Sequence, residues 1–127
     1  LQILYGLSGL ILLSYSSMAA ATAIPVEGVE LNDRGEFVHC QLLDGRELLA
    51  TPWLVSIDHH ILAKTIPTAS RNENVVSLIF RDWEYEVEVF KRVCTLGSSM
   101  GAIIKNLHSP GSVTVRCREQ KPCGERD

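Results

Sequence analysis

The chain has 127 residues, 15 of them acidic and 12 basic, for a formal net charge of −3. Hydrophobic residues make up 46% and charged residues 21%, the balance of a globular domain rather than a disordered or fibrous chain. No segment accumulates Lys and Arg, which argues against nucleic acid and anionic membrane as partners.

Residues 1–23 (LQILYGLSGLILLSYSSMAAATA) contain no charged side chain. An apolar run, 3–13, leads into small residues ending Ala21-Thr22-Ala23. This is the pattern of a secretory signal peptide, with cleavage expected near Ala23 and a mature chain from Ile24. The run opens at Leu1 without a basic n-region, so an initiator segment is expected upstream. An uncleaved anchor is the alternative, since the run is long enough to span a bilayer; Ser14, Ser16 and Ser17 weigh against it. Residues 24–117 then form one domain and 118–127 a charged tail. The mature protein is expected to be secreted and extracellular, off the membrane, with an extracellular protein as its partner. No N-x-S/T acceptor occurs, so N-glycosylation is not expected.

Beyond residue 23 the pattern is strand and turn. Residues 37–43 are a short apolar-rich run, followed by Asp44-Gly45, a hairpin signal, and by 46–50. Pro52 punctuates, 53–57 (WLVSI) reads as a buried strand, and 60–66 (HILAKTI) as another. Residues 67–74 are polar and read as a loop. Residues 75–80 (VVSLIF) and 83–93 then form the clearest strand pair. In the second, Tyr85, Val87 and Val89 alternate with Glu84, Glu86 and Glu88. Period two puts the valines on one face and the glutamates on a solvated outer face. Residues 101–107 and 112–117 flank Ser109-Pro110-Gly111 as a last pair. The expected fold is all-β, a small disulfide-linked barrel or sandwich of about 6–8 short antiparallel strands.

The four cysteines, Cys40, Cys94, Cys117 and Cys123, all follow the signal segment and contain no C-x-x-C pair. Two disulfides are favoured over a zinc site. Three connectivities are open. Cys40 with Cys94 and Cys117 with Cys123 is the favoured one, and Cys94 with Cys117 is its rival. The tail, with Pro122 and Gly124, is expected to be a loop tied down only by Cys123.

Residues 55–67 (VSIDHHILAKTIP) resemble the stretch of chymotrypsin-like serine proteases that leads into V-L-T-A-A-H-C. Ile61 and Leu62 match V-L, and the catalytic histidine position falls on Ile66. Residues 74–93 are similar to the next two strands of that family's first barrel. Residues 50–57 are similar to its P-W-x-V-S-[IL] strand, an alternative alignment over the same residues. Residues 97–104 (GSSMGAII) resemble the G-D-S-G-G-P-L-V nucleophile loop, with Ser99 at the nucleophile, Ser98 in place of aspartate, and Met100 and Ala102 replacing glycine and proline. An ordinary Gly-Ser loop between strands is the plainer reading. The resemblance implies a truncated, inactive protease-like domain.

A serine mechanism needs a base beside its nucleophile and a group that orients the base. His39, His59, His60 and His108 are the candidates, and none lies in a recognisable motif. His59 and His60, being neighbours, point apart on a strand and cannot readily chelate one metal. Trp53 and Trp83 read as core or edge packing, with Trp83, after Arg81-Asp82, the one placed to meet a partner. The functional expectation is a secreted, non-catalytic binding or regulatory module with no catalytic, metal or cofactor site. The alternative is an active secreted hydrolase using Ser99.

Overall fold

Alternation of apolar and polar residues decides which elements form and which faces they bury. A computed structural model describes residues 23–24, 26–119 and 121–124; all of the expected signal segment, 1–23, except Ala23 lies outside the described residues. Ten strands occur among the described residues. They are β1 (Ala23–Ile24), β2 (Val38–Gln41), β3 (Glu47–Ala50), β4 (Val55–Ile57), β5 (His60–Ala63), β6 (Thr68–Asn72), β7 (Val75–Arg81), β8 (Tyr85–Val93), β9 (Ser98–Asn106) and β10 (Ser112–Arg116). A 3₁₀ turn, Val26–Gly28, follows β1. Among the described residues no helix is long and apolar enough to cross a membrane.

The strands form two antiparallel sheets, ordered β1-β6-β7-β8-β9-β10 and β2-β3-β4-β5. In β8, Val87 and Val89 are fully buried. Across the large sheet the register aligns Ala69, Leu78, Val89, Ala102 and Val115 in one row, and Phe80, Val87 and Ile104 in the next. Val38, Leu48, Ala50, Val55 and Ala63 of the small sheet join these rows in a single hydrophobic cluster. Burial of apolar area, at about 25 cal/mol per Å², is thus concentrated between the sheets.

One edge is closed. Leu42 and Cys117 form a bridge beyond β2 and β10. The Leu43 N–H donates to the Arg116 carbonyl at 3.0 Å, and the Arg118 N–H to the Gln41 carbonyl at 2.7 Å. Closure removes part of the open edge that would invite pairing with another chain.

Asp44-Gly45 turns the chain as expected, with Gly45 at φ 95°. The Asp44 carboxylate accepts from the Arg46 N–H at 3.0 Å and from Arg46 Nε at 2.9 Å. The β4–β5 turn uses two residues with positive φ, Asp58 at 50° and His59 at 67°. A two-residue hairpin with the right twist requires that geometry.

Four expectations are corrected. Residues 67–74 are not simply a loop, because Thr68–Asn72 is a strand paired along its whole length with β7. Its side chains are small and polar because only Ala69 is driven fully into the core. Trp53 is not part of a buried strand; it is 64% exposed in the turn before β4. Residues 98–100 are not a loop but the start of β9. The disulfides are Cys40–Cys117 and Cys94–Cys123, with Cα–Cα separations of 5.7 and 5.9 Å. Neither the favoured Cys40–Cys94 and Cys117–Cys123 nor the rival Cys94–Cys117 forms, because closure of the β2–β10 edge carries Cys117 to Cys40.

Candidate binding cleft

The core-facing rows of the large sheet do not stay apolar to their ends. In β8 the inward series Tyr85, Val87, Val89 continues to Lys91 by period two. In β6 the inward residue after Ala69 is Arg71. The register places Arg71, Val76, Lys91 and Met100 in one row across β6 to β9. Two cations therefore lie where the sheet runs past the core.

The opposite wall comes from the chain before β2. Phe37 is 3% exposed, and its N–H donates to the Ala50 carbonyl at 2.8 Å, which fixes it against the small sheet. Lys91 Nζ lies 4.8 Å from the Phe37 ring centroid, within range of a cation–π contact. Val29, also buried, stands beside Phe37, and Glu30 follows it. Asn74 and Val93 form the rim, where Asn74 Nδ2 donates to the Val93 carbonyl at 3.0 Å. The walls enclose a cleft of about 410 Å³.

Burial pushes the Lys91 ammonium below its ordinary pKa, and the negative charge of Glu30 partly opposes this. Among the described residues no carboxylate lies within ion-pair reach of Lys91 or Arg71. The site thus combines apolar walls, a rim amide, two cations and the acid Glu30.

The residues singled out by sequence lie elsewhere. Ser99 is in β9, opposite Arg92, and its Oγ accepts the Cys123 N–H at 2.9 Å. The tail beside it is held by more than Cys123, which corrects the expectation of a loop tied down there alone. The Glu119 carboxylate accepts from Ser98 Oγ at 3.1 Å and from the Met100 N–H at 3.2 Å. The Ser98 N–H donates to the Lys121 carbonyl at 3.1 Å. Ile66, the position matched to a catalytic histidine, is 72% exposed before β6.

His39, in β2, lies between carboxylates, its Nδ1 at 3.3 Å from Glu36 and its Nε2 at 3.4 Å from Glu47. His59, His60 and His108 are exposed at turns and strand ends. Among the described residues no group of three His, Cys, Asp or Glu side chains could hold a metal ion. Trp83 is 89% exposed and does not pack in the core or at an edge.

Lys91 and Arg71 were not singled out from sequence. The signal for Lys91 was present, since the alternation of 85, 87 and 89 extends to it. Arg71 had none, because its segment does not alternate. Compared with protein families, with curated proteins and with solved structures, the chain matches none.

Proposed function

We propose that the protein is a secreted, non-catalytic binding module and that the cleft between Phe37 and Lys91 is where it binds. The observation that carries this reading is Lys91 itself: a partly buried ammonium held over an aromatic ring, with Glu30 acting on it only at longer range and no carboxylate within ion-pair distance among the described residues. Placing a cation there costs desolvation, a cost that binding of an anion would offset. The cleft volume lies within the roughly 300–1,000 Å³ of small-molecule sites. Its concave shape and few polar groups suit a small ligand better than a folded protein. The two disulfides support an oxidising, extracellular setting.

The protease resemblance fits the non-catalytic part of this reading, because Ile66 has no lone pair with which to take a proton. Ser99, paired in a strand and accepting a tail N–H, serves as a packing residue.

N-phenyl-1-naphthylamine, a neutral apolar fluorophore, tests the cleft. Its emission is expected to rise on binding, and amide resonances of Val76, Lys91 and Val93 to shift. Val76→Trp, which fills the cleft, is expected to abolish both. Shifts confined to other residues, or no binding at all, would remove the cleft from the reading. Stoichiometric labelling of Ser99 by a fluorophosphonate, lost in Ser99→Ala, would instead establish the hydrolase.

A further inference from the structure

We infer that the cleft takes an amphiphile with a single carboxylate, its head group between Lys91 and Arg71 and its apolar body against Val29, Phe37 and Val76. This rests on the cleft being the binding site.

Charge selects the head group. Among the described residues the lining carries Lys91 and Arg71 against one acid, Glu30. One added negative charge brings the sum of these groups to zero. A dianion would leave excess negative charge beside Glu30, and a cation would meet two like charges. A low local dielectric makes such imbalance costly.

Geometry allows both cations to reach one carboxylate. Arg71 and Lys91 lie on β6 and β8 with Val76 of β7 between them in register. Adjacent strands are about 4.8 Å apart, so the two Cα atoms are separated by roughly 10 Å. Side chains of this length can converge across that gap. The planar guanidinium offers a two-pronged donor that matches a carboxylate, and the ammonium supplies a further donor. Phe37 covers one side of the ammonium; among the described residues no carboxylate lies within ion-pair distance of it.

The body of the ligand must be apolar because, Glu30 and the rim amide of Asn74 aside, the rest of the lining is. Val29 and Phe37 are buried at the base, and Val93, 61% exposed at the rim, gains cover when a chain lies across it. Asn74 is already engaged by Val93 and closes that end. Together these features describe a monocarboxylate with an aliphatic or aromatic tail.

Calorimetric titration with decanoate and with the neutral decanol, below micellar concentrations, tests the inference on the intact protein. Decanoate is expected to bind one per chain, at least about tenfold tighter than decanol, the increment of a charge-assisted hydrogen bond. Lys91→Met is expected to weaken decanoate about tenfold while leaving decanol within about threefold. Arg71→Gln, at an exposed position, should act in the same direction. Equal affinity for decanol and decanoate, or unchanged decanoate affinity in both variants, would overturn the carboxylate assignment. If decanoate fails to bind while the neutral naphthylamine still occupies the cleft, this inference fails and the binding reading stands. If neither binds, both fail.

Discussion

The ring of Phe90 occupies the space that a side chain on Gly101 would fill. The two residues are paired across β8 and β9, and a Cβ on Gly101 would lie 2.8 Å from Phe90 Cζ and 3.2 Å from Arg116 Cα, and closer still to the Val115 carbonyl oxygen. The Arg116 guanidinium completes the stack, 5.9 Å from the ring centroid. Phe90 therefore ties three strands together over a residue with no side chain. Gly101→Ala forces backbone apart as well as the ring, so it is expected to cost at least the 1–3 kcal/mol usual for overpacking. The fall in denaturation midpoint measures this. A wild-type midpoint would show that the strands adjust freely.

How much of this was legible in the sequence depended on whether a local pattern encoded it. The Asp44-Gly45 hairpin and the Val87, Val89 alternation were readable because turn chemistry and period two are local. β6 was not, because a strand covered on its outer side only by the two-residue β1, with Ala69 as its only fully buried side chain, has no alternation to show. The disulfide pairing was not, because Cys117 meets Cys40 only after β2 and β10 close their edge. Trp53 and Trp83 misled because size favours burial in general but cannot say where a turn points. The cleft draws on β6, β7, β8 and the chain before β2, so no window of sequence contains it. Only Lys91, as the next inward residue of β8, left a trace.

The two disulfides should contribute unequally. Cys40–Cys117 spans 77 residues and Cys94–Cys123 spans 29. On the chain-entropy estimate these closures are worth about 4.5 and about 3.6 kcal/mol. The pair of substitutions Cys40→Ala and Cys117→Ala also frees the closed sheet edge. It is expected to lower stability more than Cys94→Ala with Cys123→Ala, by urea denaturation of each double variant. A larger loss from the second pair would mean that the tail, not the sheet edge, limits stability.

Acid should weaken the fold through two turn carboxylates. The Asn32 side-chain hydrogen bond, at 3.0 Å, is the main cause that holds Glu36 below its ordinary value of 4.5, with His39 adding to it. The hydrogen bonds from Arg46 hold Asp44 below 3.8. Both pKa values are depressed by folding. Their contribution is therefore present above the unfolded values and lost as pH falls through the folded ones. Midpoints measured from about pH 5 down to pH 2 should decline, and less steeply in Glu36→Gln with Asp44→Asn. An unchanged slope in that variant would assign acid sensitivity to other groups.

Lys91 should act in the opposite sense, and this separates binding from stability. Burial lowers its pKa, so the folded state disfavours the charged form. Below the folded pKa both states carry the proton and the full desolvation cost weighs on the fold. As pH rises from the folded value toward 10.5, the unfolded chain holds more protons and stability increases. Lys91→Met removes the charge, and its thioether can still lie against Phe37, a favourable sulfur–aromatic contact. The variant is therefore expected to be more stable than wild type at pH 7 and to lack the alkaline rise. Urea midpoints at pH 7 and in the alkaline range test both points. A residue that costs the fold stability while improving anion affinity is one kept for binding. If Lys91→Met is instead less stable at pH 7, the ammonium stabilises the sandwich through Phe37, and its place in the cleft is structural.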